Sequence, residues 1–301
     1  MNNTSKFNEI YNHVLAQLLE NYSDVLTLFP LSEYSKKITD APIFTGYDRL
    51  GNFSRYVAES IKLKYSIQCL DTYHRCLLLH LIINNKFNIN KFSKSILELY
   101  LIEKMRIATD VLDNPMGFYQ FDNDLFCKDI AICVHRMFPG GVFKYELFSG
   151  VPRRALFNHN FSHFCKLSKY LFSLGGFRPF YGYHLDIRYR SEFTPAGCEK
   201  SFKLAAEMLN INQNIKGVVG SSWFYDPVIP EISPRLAYLR QQLADNGGAF
   251  FYGTRNAHAT ELAISSSPSR RELFEKELYF PVVYYGIWPR EQLINWSNSG
   301  S

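Results

Sequence analysis

Long apolar runs are missing from this chain. The longest, Cys76-Leu77-Leu78-Leu79-His80-Leu81-Ile82-Ile83, falls far short of the roughly 20 residues that a membrane-spanning helix needs. It predicts the inside of a core helix. Export features are also lacking: Met1-Asn2-Asn3-Thr4-Ser5-Lys6 has neither the apolar stretch nor the small-residue cleavage site of a secretory signal. Cysteine is sparse, with Cys69, Cys76, Cys127, Cys133, Cys165 and Cys198 spread through 301 residues and no C-x-x-C pair among them. Reduced thiols in a cytoplasm are therefore expected. Strong charge bias is absent too. A net charge of +5 with scattered basic residues lacks the dense stripe of a nucleic-acid binder, so no nucleic-acid partner is expected.

What is present is core-forming material. At 47% hydrophobic, 16% aromatic and 20% charged, the composition excludes disordered, collagenous and low-complexity classes. The abundance of Asn, Lys, Tyr, Phe and Ile reflects an AT-rich, bacterial-like coding sequence.

Periodicity divides the chain near residue 112. In 1–112, Phe7, Ile10, Tyr11, Val14, Leu18 and Leu19 recur at helical spacing and predict a helix over 5–22. A second helical tract, 58–109, is interrupted near Asn84-Asn85-Lys86 and Asn88. This part reads as a helical subdomain or cap. In 113–301, strands are predicted at 142–148, 179–189, 215–220, 248–252 and 281–288. Helices alternate with them at 160–174, 195–209, 233–244 and 269–278. Gly175-Gly176 ends the first of these helices, Thr194 caps the second with Pro195 at its first position, and Ser233-Pro234 and Ser267-Pro268 open the others. The expected fold is α/β, a mixed or largely parallel sheet of five strands with flanking helices.

Loops at strand C-termini are where open α/β sheets bind ligands. Gly220-Ser221-Ser222-Trp223-Phe224-Tyr225-Asp226-Pro227 follows a short strand and gathers two hydroxyls, an indole, a phenol and a carboxylate. Such a mixture can orient a small molecule and leaves Asp226 or Tyr225 for proton transfer. The same residues also suit a packed aromatic loop with an Asp-Pro turn. The G-x-S-x-G elbow of serine hydrolases is absent. His184 and Asp186, at i and i+2 of a strand, share a face. With His258 they make a two-His, one-carboxylate set resembling that of Fe(II)/2-oxoglutarate oxygenases, and that resemblance casts Arg270 as the 2-oxoglutarate anchor. The competing reading pairs Asp186 with Arg188 or Arg190. Cys133 with His135, and His159 with His163 and Cys165, are further metal candidates. Arg153-Arg154 and Arg270-Arg271 flank turns, the latter at a helix start where serine hydroxyls and backbone N–H groups can hold a phosphate or carboxylate.

In order and texture the C-terminal half resembles the GNAT superfamily of acyl-CoA-dependent N-acyltransferases. Strand 179–189, helix 195–209, strand 215–220, helix 233–244 and strand 248–252 are similar to its central β-α-β-α-β run. Ser269-Arg270-Arg271-Glu272-Leu273-Phe274-Glu275-Lys276 followed by Phe280-Pro281-Val282 is similar to its closing helix-to-strand passage. The chain departs from the family at the pyrophosphate loop, Q/R-x-x-G-x-G/A. There Arg190-Ser191-Glu192-Phe193-Thr194-Pro195-Ala196-Gly197 holds one glycine. The resemblance implies acyl transfer from a CoA or carrier thioester to an amine of a small molecule. Asp226 or His184 would take the amine proton, Tyr225 would protonate the leaving thiolate, and Ser221, Ser222, Trp223, Arg270 and Arg271 would contact substrate. A binding or effector protein without catalysis is the third expectation.

Overall fold

A computed structural model describes residues 3–85 and 88–299. Met1 and Asn2, at the start of the N-terminal sequence read above, and Lys86, in the expected helix break, lie outside these residues. The backbone divides into two compact units, Met1–Pro139 and Gly140–Ser301.

The first unit is helical: α1 (Asn3–Asn21), α2 (Val25–Leu28), α3 (Leu31–Thr39), α4 (Arg55–Lys64), α5 (Ile67–Asn84), α6 (Lys94–Asp113) and α7 (Asp124–Cys133). The position expected as a domain boundary, residue 112, lies in the last turn of α6. Side-chain caps start α5, α6 and α7: Ser66 accepts from the Cys69 N–H, Ser93 from that of Ile96, and Asn123 from that of Leu125. Each satisfies a donor that the first turn leaves without a helical partner. Helix α5 is the central element, with Cys76, Leu77, Leu78 and Leu79 fully buried, so the apolar run is core. Two polar clusters sit in this apolar surround. Arg106 bridges Glu103, Asp110 and Asp129 at 2.9, 2.6 and 2.6 Å. His74 lies between the Tyr34 hydroxyl (2.8 Å) and the Tyr119 carbonyl (2.6 Å).

The second unit is built on a sheet whose strands are β1 (Met137–Gly140, where the chain leaves the first unit), β2 (Phe143–Ser149), β3 (Phe180–Leu185), β4 (Gly217–Ser222), β5 (Ala249–Thr254) and β6 (Val283–Pro289). Helices α8 (Phe161–Ser173), α9 (Pro195–Ile211), α10 (Ile229–Ile232), α11 (Ala237–Ala244), α12 (Ala257–Ser265), α13 (Pro268–Glu275) and α14 (Arg290–Ser299) complete it. Strand order is β1-β2-β3-β4-β6-β5. The α/β class holds, but the sheet has six strands, not five. It is mixed, with β3 and β4 parallel and the pairs β2/β3, β4/β6 and β5/β6 antiparallel. Met137-Phe138-Pro139-Gly140 escapes sequence reading because its proline and glycine signal a turn.

Alternation along β3 and β4 decides which helix covers which face. On one face Tyr183 meets Phe143 and the Phe202 ring of α9, and Phe202 also meets Trp288. On the other, Phe180, Val219 and Ile287 pack with Leu167 and Leu171 of α8. Helix α9 is the crossover that a parallel neighbour requires. Thr194 accepts the Gly197 N–H at its start, with Pro195 at the first position. The strand expected over 179–189 stops at Leu185. Asp186 then caps a 3-10 turn over Ile187–Glu192 by accepting the Arg188 N–H.

Candidate functional site

The centre of the second unit is where β3 and β4 part. Among the described residues their ladder consists of Tyr181↔Val218 and Gly182↔Val219, although each strand continues for three residues beyond it. Tyr183 and Gly220 follow the last pair. A Cβ at Gly220 would run into the Tyr183 ring, so glycine lets that ring cross the neighbouring strand. The Tyr183 hydroxyl then lies 2.6 Å from that of Tyr225, and both residues are buried. Burial pushes both phenols above the ordinary tyrosine range, which keeps them protonated.

One residue further along β3, on the opposite face, is His184. Lys144↔His184 and Glu146↔Gly182 are in register, so Glu146 and His184 are diagonal neighbours. The His184 Nε2 is 3.2 Å from the Glu146 Oε2. Nε2–H donates and the carboxylate accepts, so a neutral ring carries its lone pair on Nδ1. A Cβ at Gly182 would lie 3.1 Å from that carboxylate oxygen and 2.6 Å from the Ser149 Oγ. Gly182 thus makes room for Glu146. His184 is a third exposed and Glu146 less so, a half-buried base beside a carboxylate at the mouth of the parting strands.

Of the residues singled out in the sequence, His184 and Tyr225 are in this region, and Ser221 is exposed on β4 opposite Tyr285. Ser222 is half-buried and accepts the Phe224 N–H. Trp223 is buried in a satellite core with Ile229, Ala263 and Tyr279. Asp226 is occupied: its Oδ1 accepts the Val228 N–H at 3.2 Å and its Oδ2 the Val282 N–H at 3.1 Å. Burial pushes its carboxyl above the usual range against those two bonds. These contacts make the Asp-Pro turn and tie it to the entry of β6.

Arg270 is a correction. It is 1% exposed, stacks on Trp223 at 4.6 Å, and donates to the Ala263 carbonyl and the Ser233 and Ser266 hydroxyls. Its charge and hydrogen bonds are taken up inside the satellite core, whereas the sequence reading has it facing substrate or 2-oxoglutarate. Arg271 is exposed and reaches the Ser265 carbonyl at 3.4 Å.

The iron set is also corrected. Asp186 is fully buried and held by Arg188 at 2.8 Å, with Lys144 at 3.9 Å, which is the competing reading of the sequence. His184 is turned to Glu146, and His258 is exposed on α12. Among the described residues no three His, Cys, Asp or Glu side chains are grouped to hold a metal. His163 donates from Nε2 to the Ala155 carbonyl at 2.8 Å, and His159 stacks on Tyr252 at 4.7 Å. Cys133 is buried in the first unit, where burial pushes its thiol up to about 12.

Glu146, Tyr183 and Gly182 were missed. Their signal was available: strand 142–148 alternates Phe143 and Tyr145 with Lys144 and Glu146, an ionisable pair on one face of a core strand. No helix among the described residues is long and apolar enough to cross a membrane. Comparison of the chain with protein-family models, curated proteins and solved structures gives no match.

Proposed function

We propose that the second unit is a cytoplasmic acyltransferase that moves an acyl group from a thioester to an amine of a small molecule, with His184 as its base. The observation that carries this reading is the parting of two parallel strands immediately before a His–Glu pair. Adjacent strand ends that separate offer main-chain donors and acceptors to an extended amide-bearing arm such as pantetheine. A base at their mouth meets the nucleophile attacking the thioester. The order of elements from β3 through α9, β4, α11 and β5 carries the GNAT resemblance.

In the reaction, the amine nitrogen attacks the thioester carbonyl, the C–S bond breaks, and His184 takes the ammonium proton. Glu146 holds the imidazole and stabilises the imidazolium. The His184 imidazolium then gives that proton to the thiolate. Burial makes the Tyr225 phenol too weak an acid for this step, and its hydroxyl is bonded to that of Tyr183 on the other face of the sheet. Asp226 is set aside as a base because its oxygens hold the turn. The start of α9 bears on the donor. Pro195 has no N–H and that of Gly197 is taken by Thr194, which leaves Ala196 as the amide there for a pyrophosphate. That favours a carrier-borne thioester over CoA.

The test is native mass spectrometry with acyl-phosphopantetheine and acyl-CoA, followed by thiol release across a panel of amines. Thioester binding is expected, and kcat/KM should fall on the order of 100-fold or more in His184→Gln and on the order of 10–100-fold in Glu146→Gln. Failure to bind either thioester overturns the reading, as does turnover indifferent to His184→Gln. A protein that binds amines alone fits the non-catalytic expectation instead.

A further inference from the structure

Between Glu146 and Asp186 the chain contains no acidic residue, but it contains Arg153, Arg154, Lys166, Lys169 and Arg178. The whole chain has a net charge of +5, so this stretch accounts for all of the excess and the remainder balances. The same stretch carries three of the most exposed aromatic side chains among the described residues, Phe157 at 73%, Phe161 at 78% and Phe172 at 87%.

The fold gathers these features on one surface. Helix α8 buries His163, Leu167 and Leu171. At 100° per residue the opposite arc holds Phe161, Cys165 and Phe172 in one stripe, with Lys169 and Lys166 beside it. Phe161 and Phe172 are eleven positions apart, about 16 Å along the axis. Phe157, on the 3-10 turn Arg153–Phe157, extends the stripe past the start of the helix: its ring is 5.6 Å from Phe164, which stacks with Phe161 at 6.0 Å. Arg153 and Arg154 on that turn are exposed, as are Lys166 and Lys169.

Singly exposed apolar residues are ordinary, whereas three strongly exposed phenylalanines aligned on one helix face and its preceding turn, in a stretch whose formal charges are all cationic, call for a partner. We propose that the outer face of α8, with the turn before it, docks on the surface of an anionic lipid bilayer. The phenylalanines enter the headgroup–acyl boundary and the lysines and arginines lie against lipid phosphates and carboxylates. A bilayer matches this face because the stripe is one-sided, bordered along one edge by Lys169 and Lys166 and joined at the preceding turn by Arg153 and Arg154, and too short to span. This inference is independent of the acyl-transfer reading.

The test is co-sedimentation of the full chain with phosphatidylcholine vesicles with and without phosphatidylserine. Binding is expected only with phosphatidylserine and should weaken as salt is raised. Lys166→Glu with Lys169→Glu should weaken it on the order of tenfold or more, and so should Phe161→Ser with Phe172→Ser. All four positions are exposed, so thermal unfolding should stay unchanged. Cys165 is the one exposed cysteine among buried ones, so a polarity-sensitive fluorophore placed there should shift to the blue on the same vesicles. No sedimentation at low salt overturns the proposal, and so does binding that is equal on neutral vesicles or survives both double variants. Capture of single-stranded RNA in place of vesicles also overturns it.

Discussion

The hydroxyls of Tyr183 and Tyr225 lie 2.6 Å apart in a buried setting, joining β3 to the loop after β4 where main-chain pairing between the strands has ended. Truncating one partner leaves the other hydroxyl without its bond. Tyr225→Phe and Tyr183→Phe should each cost about 1–3 kcal/mol, and the double variant less than their sum. A double-mutant cycle by denaturant unfolding reads this directly, and strict additivity would show that the bond does not couple the two elements.

Arg270 belongs to the fold. Its guanidinium sits on Trp223 and serves the Ala263 carbonyl and two serine hydroxyls. Arg270→Met keeps volume and stacking but strands those acceptors, which should cost about 2–4 kcal/mol. Thioester binding by the folded variant should be unchanged. A variant of full stability that has lost ligand would return Arg270 to the site.

Asp186 should dominate the acid limb of the second unit. Burial pushes its carboxyl up, but the hydrogen bonds and charge of Arg188, then the charge of Lys144, outweigh this and hold it at about 2 rather than 3.8. A depressed carboxyl contributes stability that is complete above the unfolded value and is lost as pH falls toward the folded one. The loss should be about 2 kcal/mol, concentrated between pH 4 and pH 2. Asp186→Asn should flatten that segment in unfolding curves measured across pH.

His74 works at milder acidity in the first unit. Its Nδ1 faces a carbonyl and must donate, so Nε2 accepts from the Tyr34 hydroxyl and the neutral ring is the bound form. Burial pushes its pKa down to about 4 from 6.5. Below pH 6.5 the unfolded chain gains a proton that the folded chain refuses, so stability falls until about pH 4, by about 3 kcal/mol. His74→Gln should lower stability at neutral pH and remove most of that slope. An unchanged slope would place the acid sensitivity elsewhere.

Local signals located part of the elements, because caps and periodicity are local. The helix expected over 233–244 instead begins at Ala237 after a 3-10 turn over Pro234–Leu236, and α12 and α14 were not foreseen. Thr194-Pro195 and Ser267-Pro268 start helices as expected, and Asn160 caps α8. The antiparallel neighbours of β4 and β6 were not legible, because which strand joins which edge depends on contacts far apart in sequence. The site divided the same way. His184 was visible, but Glu146 entered only through the β2/β3 register. The chemically rich loop 220–227 is largely internal: Trp223 packs in the satellite core under Arg270, Asp226 holds the turn, and the Tyr225 hydroxyl is bonded to that of Tyr183.

Gly182 gives the sharpest test of that register. Its missing Cβ leaves the place where the Glu146 carboxylate meets the β3 backbone, and Ser149 closes the same space from the other side. Gly182→Ala would press first on Ser149 and then on the Glu146 carboxylate, shifting Glu146 relative to His184 while changing neither residue. If Glu146 acts by holding the imidazole, Gly182→Ala should lower kcat about as much as Glu146→Gln, on the order of 10–100-fold, with little change in KM. Adding Glu146→Gln to Gly182→Ala should then cost little more, because both remove one interaction. Full additivity of the two, or a rise in KM alone, would mean that Gly182 shapes the space for substrate and that Glu146 acts independently of its strand partner.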